Sequence, residues 1–152
     1  MLTDALKREF SGAFAVLEAA IASFSPEQWR RGSPPFNGPG RAVAHVLQCA
    51  EFYTTQDRAA FANLGKKVSQ MADADVPPQE QMLRYAAEVR RMTMAWIDSM
   101  GDAGLAAPRP RPDAQELIGL DCVVYALRHL QHHAGEVCAY QKQCGLEPAP
   151  WK

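Results

Sequence analysis

The sequence predicts an all-α protein, a four-helix bundle with long connections. Apolar side chains recur every three or four residues over four long stretches. No segment shows the sustained alternation of apolar and polar residues that is typical of a half-buried strand. Segments rich in glycine and proline separate the four stretches. Four long helices joined by loops bury their apolar faces by packing side by side, which favours a bundle.

The first two long helices are predicted at about residues 3–23 and 39–64. Between them, the run from Ser25 to Gln28 predicts a short helical turn. Serine can cap that turn, the proline that follows fits its first position, and the glutamine closes a capping box. A proline opens the second long helix, and Gly65 is expected to end it.

The third and fourth long helices are predicted from the residues at their ends, which typically begin or terminate a helix. The third follows Pro78 and is expected to end at Gly101, because a glycine suits the left-handed conformation after a helix. The fourth is predicted to begin at a capping box formed by Asp113 and Glu116. It runs to Cys144, where another glycine follows.

Composition limits the function classes. The 152 residues suit a single domain over residues 1–152 with one core. The net charge is −1 with scattered basic residues, so no nucleic acid is expected as a partner. No apolar run is long enough for a membrane span, and the opening residues lack the apolar stretch of a signal peptide. A soluble, cytoplasmic protein is therefore expected.

Three of the four histidines lie within five residues of one another in the fourth long helix. His129 and His133 are spaced i, i+4 and share one stripe with Glu136. His132 points roughly 60° away from that stripe and is predicted to be a surface residue, not a ligand. Gly135 is costly inside a helix, which indicates that something approaches the helix closely at this position.

A pair of histidines one turn apart can share one metal ion, and it can equally be two half-buried rings bonded to carbonyls or water. The remaining histidine, His45, lies near the start of the second helix, where a bundle could present it to the pair. Cys49 shares its stripe, and Cys122 shares the stripe of the pair. Either thiol could be reactive or a fourth ligand, but apolar packing is the favoured interpretation.

These residues together resemble the DinB-like (DinB/YfiT) superfamily of bacterial four-helix bundles. The resemblance depends on His45 and on His129-x-x-x-His133 followed by Ala-Gly-Glu136. Three further segments are similar to the family in layout: SFSPEQW after the first helix, GPGRAVAHVLQCAEF leading through His45, and the HHAGEV…CGLEPAPW ending.

The resemblance implies a divalent metal ion held by His45, His129 and His133, with open coordination positions. It also implies a homodimer and a small-molecule substrate. Characterised relatives include thiol-dependent S-transferases and isomerases that use bacillithiol, mycothiol or glutathione. The residue after the glycine is often glutamine in the family and is Glu136 here. This residue could orient a ligand histidine, act as a general base or be a fourth ligand.

The chemistry of such a site predicts a metal-dependent enzyme. Three neutral imidazoles with open positions suit Zn, Ni or Fe(II). The leading hypothesis is a transferase assisted by a low-molecular-weight thiol, with Glu136 as the candidate catalytic residue. The alternatives are a hydrolase that uses metal-activated water, a metal-binding or small-ligand-binding protein without turnover, and a bundle in which the histidines only pack.

Overall fold

The computed structural model describes residues 1–32, 37–55, 61, 63–109 and 116–152. Apart from isolated bridges, these residues form no β-structure, and the predicted all-α bundle is confirmed. None of the described helices is both long enough and apolar enough to cross a membrane. The α-helices of the described residues are α1 (Leu2–Ser23), α2 (Pro26–Arg30), α3 (Pro39–Thr54), α4 (Gln79–Ala106) and α5 (Gly119–Gln143).

The four long helices pack so that α1 and α3 each lie against both α4 and α5. Their apolar faces form one core, in which Phe14, Leu47 and Leu130 are fully buried. Burying such a side chain stabilises the fold by about 1.5–3 kcal/mol. The contact between α3 and α5 matters most for function, because these two helices carry all four histidines.

The short helix α2 forms where the capping residues predicted it. The Ser25 hydroxyl accepts a hydrogen bond from the backbone N–H of Gln28, and the Gln28 side chain accepts one from the backbone N–H of Ser25. The predicted capping box is therefore confirmed. The indole of the buried Trp29 donates to the Pro77 carbonyl at 2.8 Å, which ties α2 to the segment before α4.

Two buried polar side chains fix α3 to the connection that follows it. Arg41, which is only 1% exposed, donates to the Met71 carbonyl at 2.9 Å and to the Asp73 carboxylate at 2.6 Å. The Gln48 amide donates to the Lys66 carbonyl and accepts from the backbone N–H of Val68. Because both anchors lie on α3 close to His45, they hold this histidine's helix in place.

The predicted end of the second long helix at Leu64 is wrong. The helix ends at Thr54, and Thr55 is extended. Hydroxyls of both threonines donate to carbonyls of the last turn. Residues 56–60 and 62 lie outside the described residues. Residues 63–65 form a short 3₁₀ turn, with both Leu64 and Gly65 at positive φ.

The third long helix is interrupted at Gly101 as predicted, because the backbone there is non-helical, with φ 57° and ψ −178°, and a second helical run continues to Ala106 within α4. The start of the fourth long helix differs from the prediction. The fourth begins at Gly119, and Glu116 precedes it. Asp113 lies outside the described residues. The capping role falls instead to Asp121, whose carboxylate accepts from the backbone N–H of Ile118 at 2.8 Å.

A close approach of two helices explains why α5 begins with a glycine. A Cβ atom on Gly119 would lie 2.2 Å from the backbone carbonyl oxygen of Gly104 in α4. Such a distance is far inside van der Waals contact, so only glycine allows the start of α5 to pass α4 here.

Candidate metal site

Three imidazole rings meet where α3 packs against α5. The ring centroid of His45 lies 5.4 Å from that of His129 and 4.8 Å from that of His133. The centroids of His129 and His133 are 4.6 Å apart. The structure thus brings together the three histidines that the sequence selected, and their role as ligands remains a prediction.

The helical phase of α5 determines which histidines face inward. Leu130 and Val137 are fully buried in the core, and they bracket the His133 position on the inner side of the helix. His133 is 6% exposed, while His129, one turn earlier, is half-buried. His132 is exposed. Its ring centroid lies 5.0 Å from that of His133. His132 lines a shallow depression of the surface together with Arg128.

Glu136 is hydrogen-bonded to a histidine of this cluster. Its Oε2 lies 2.7 Å from Nδ1 of His133. Because an ionised carboxylate only accepts, this bond places the imidazole proton on Nδ1 and the lone pair on Nε2. Metal-binding histidines characteristically donate their second ring N–H to such a partner. Among the roles considered for Glu136, this hydrogen bond favours the one in which the carboxylate orients a ligand histidine.

Two rings of the cluster are held in the neutral form. Burial, the neighbouring His133 and the ring of His45 lower the pKa of His129 to about 4. Burial and His133 also lower the pKa of His45, against a weaker opposing effect of Glu136. A neutral imidazole is the form that binds a metal ion, so this environment suits a metal site.

These pKa shifts predict how the metal-free protein responds to acid. Because the pKa of His129 is about 4 in the fold and near 6.5 in the unfolded chain, the unfolded state binds a proton first as the pH falls. The contribution of His129 to stability is thus fully present above pH 6.5 and is lost between pH 6.5 and 4. We expect the free energy of unfolding of His129→Gln, measured by urea titration with a chelator present, to fall less steeply over this range than that of the unsubstituted protein. Equal slopes would contradict the assignment.

Cys49 is closer to the histidines than the packing interpretation implied. Its Sγ lies 3.9 Å from both ring nitrogens of His45. His45, Cys49 and His129 each offer one donor atom, and these atoms lie within 4.8 Å of one another. The other three cysteines, Cys122, Cys138 and Cys144, pack against the core as partly buried apolar groups.

Donor atoms and ring centroids select overlapping sets of residues. The donor atoms that lie within 4.8 Å of one another belong to His45, Cys49 and His129, whereas the centroids place the His133 ring as near as the other two rings. The His133 ring is held by its hydrogen bond to Glu136, so its role as a ligand remains a prediction.

Aromatic side chains lie beside the histidine rings. The ring of Tyr53 lies edge-on to that of His129, with centroids 5.8 Å apart, and to that of Tyr125 at 5.5 Å. Tyr125 and Phe52 are about half exposed and lie nearest to solvent. Sequence reasoning missed Tyr53, although its position two turns after His45 was a usable signal.

The described structure contains no close approach at Gly135. A Cβ atom on this residue would meet nothing within 4 Å, and the residue is exposed. No described part of the molecule approaches α5 at this point. The close approach belongs to Gly119 at the other end of the same helix.

Comparison with known proteins places the chain in a family. No curated protein matches it. The model of the DinB superfamily matches residues 9–137, which is most of the chain. The matched range contains His45, both other histidines of the cluster, and Glu136. The chain belongs to the DinB superfamily.

Proposed function

We propose that the protein holds a divalent metal ion through His45, His129 and His133 and uses it in a reaction on a small molecule. One observation carries this proposal. Two helices bring three imidazole rings together, with every pair of centroids within 5.4 Å. The chain's membership of the DinB superfamily, which is metal-binding, supports the same interpretation.

The surrounding residues fit an ion at this position. The lowered pKa values of His45 and His129 keep both rings neutral at pH 7. Glu136 fixes the tautomer of His133 so that Nε2, on the far side of the ring from the carboxylate, is its donor atom. Three nitrogen ligands of this kind suit Zn, Ni or Fe(II).

The reaction we propose is S-transfer with a low-molecular-weight thiol. A divalent ion in such a site lowers the pKa of a bound thiol or water and so provides an anionic nucleophile near neutral pH. Glu136 positions His133, and its negative charge favours the protonated Nδ1. The exposed rings of Phe52 and Tyr125 offer an apolar surface beside the histidines for a substrate.

A screen of nucleophiles tests this reaction. The metal-loaded protein is incubated with an aromatic electrophile and with bacillithiol, mycothiol or glutathione in turn, and product formation is followed. We expect turnover that depends on both the metal and the thiol. Ester cleavage without added thiol would instead support a hydrolase, and bound metal without any turnover would support a metal-binding protein.

The substitution Glu136→Gln tests the positioning role. Glutamine can still accept the hydrogen bond from His133 but carries no charge. We therefore expect the metal to remain bound, with metal affinity or thiol-transfer rate lowered about 10–100-fold, as for other outer partners of ligand histidines. Metal affinity by competition with a chelator and the turnover number are measured together.

Glu147→Gln is the matched control, because Glu147 is an exposed carboxylate in the C-terminal segment. It should change neither quantity. If Glu136→Gln behaves like this control, Glu136 has no role in the site.

We also propose that the functional unit is a homodimer acting in the cytoplasm. The support is the superfamily alone. Light scattering during size-exclusion chromatography measures the mass directly, and a monomer at micromolar concentration would contradict the proposal.

A further inference from the structure

Cys49 differs from the other cysteines in its surroundings. Cys122, Cys138 and Cys144 are packed against the apolar core, whereas Cys49 lies one turn after His45 with its sulfur 3.9 Å from both nitrogens of that ring. Its sulfur and one ring nitrogen each of His45 and His129 lie within 4.8 Å of one another.

The observed separations are close to those of ligands on a single ion. Zinc binds sulfur at about 2.3 Å and nitrogen at about 2.0–2.1 Å, so two such donors on one tetrahedral ion are roughly 3.5 Å apart. The Cys49 sulfur needs to move only a few tenths of an ångström relative to His45 to reach that separation.

The Cys49 sulfur has a hydrogen-bond donor on the same helix. Burial raises the pKa of the Cys49 thiol, and a hydrogen bond with the hydroxyl of Tyr53, one turn further along, opposes this effect. This bond parallels the one between Glu136 and His133, in which an outer residue one turn away orients a donor. Because the Glu136 carboxylate is already used by His133, Cys49 is better placed than Glu136 to complete the ligand set.

We propose that Cys49 binds, as its thiolate, the same metal ion as His45, His129 and His133, with Tyr53 as its hydrogen-bonding partner. This inference rests on the proposed three-histidine site and extends it to a site with one sulfur and three nitrogens. A thiolate ligand favours zinc among the candidate metals. It also fills the fourth tetrahedral position, so substrate or thiol must add as a fifth ligand or displace one.

Cobalt substitution tests the sulfur ligand separately from the histidines. The full chain, freed of any histidine tag, of metal and of added reductant, is titrated with Co(II). Visible d–d bands and the amount of bound cobalt report an ion at the histidines. A near-ultraviolet thiolate-to-cobalt charge-transfer band reports sulfur. We expect both signals in the unsubstituted protein and in Cys122→Ser, and we expect Cys49→Ser to keep the d–d bands and lose the charge-transfer band.

The outcomes separate the two proposals. Bound cobalt without a charge-transfer band in the unsubstituted protein would overturn the role of Cys49 and leave the histidine site standing. A band that persists in Cys49→Ser would also overturn it. Failure to bind any cobalt would overturn both. If Cys49→Ser does not fold, as judged by circular dichroism, the ¹¹³Cd chemical shift of the unsubstituted protein decides, because a sulfur ligand shifts this resonance strongly downfield.

Discussion

His129→Ala and His133→Ala are expected to lose the metal, whereas His132→Ala is expected to keep it. The first two substitutions each remove a ring whose centroid lies within 5.4 Å of the other two. Loss of an outer partner alone lowers metal affinity about 10–100-fold, so removal of a ligand should exceed 100-fold. Elemental analysis of the purified variants and competition with a chelator measure the effect.

His132 is the matched control for this experiment. It is the same residue type on the same helix, but it is exposed and points about 100° away from His133 around the helix axis. Equal loss of metal from all three variants would contradict the ligand assignment. It would point instead to His132 together with Glu136, which are also spaced i, i+4.

Gly119→Ala is expected to destabilise the protein by about 3 kcal/mol or more. Its new Cβ would lie 2.2 Å from the carbonyl oxygen of Gly104, and because that atom is backbone, one helix must move. Overpacking usually costs about 1–3 kcal/mol, and the rigidity of the contacting atom places this case at the upper end or beyond. Equilibrium unfolding in urea, monitored by circular dichroism, gives the change in the free energy of unfolding.

The second glycine of the same helix provides the control. Gly135→Ala adds a methyl group that meets nothing within 4 Å, and alanine is favoured over glycine in a helix by about 1 kcal/mol. We expect Gly135→Ala to be as stable as the unsubstituted protein or slightly more stable. A Gly119→Ala protein of unchanged stability would show that the start of α5 does not pass α4 this closely.

Local signals predicted the parts of the fold that local interactions determine. The capping box at Ser25 is made by residues three positions apart, and the structure has both of its hydrogen bonds. The end of α3 was mispredicted by ten residues, because apolar spacing continued in the sequence beyond Thr54. Gly101 interrupts the third long helix at the predicted residue, but the helical run that continues from it to Ala106 was not predicted.

The candidate site could be predicted in part. Helical phase placed His129, His133 and Glu136 on one stripe, and the structure shows the contact between His133 and Glu136. The meeting of that stripe with His45 depends on how α3 packs against α5, which periodicity cannot supply and which only the family resemblance implied. Helical phase also placed Cys49 on the stripe of His45 and left a ligand role open, although apolar packing was the favoured interpretation. The contact of Tyr53 with His129 was not predicted, because it depends on the three-dimensional packing.

The two glycines of α5 illustrate the same limit. Sequence reasoning noticed Gly135 because it lies inside the helix, but nothing approaches it in the described structure. Gly119 lies at the start of α5, where a glycine attracts no attention, and it is the one that a neighbouring backbone touches. Whether a glycine is required at a position of α5 depends on how closely α4 passes it. This closeness depends on residues far apart in the chain, so local sequence does not reveal it.

Metal analysis of the protein purified without a histidine tag tests the central claim most directly. A tag must be absent because it binds metal itself. The account predicts close to one divalent ion per chain, with zinc the leading candidate, or uptake of one equivalent by the metal-free protein when zinc is added. A folded protein that is purified without metal and takes up none would contradict the metal site, and the three histidines would then be packing residues.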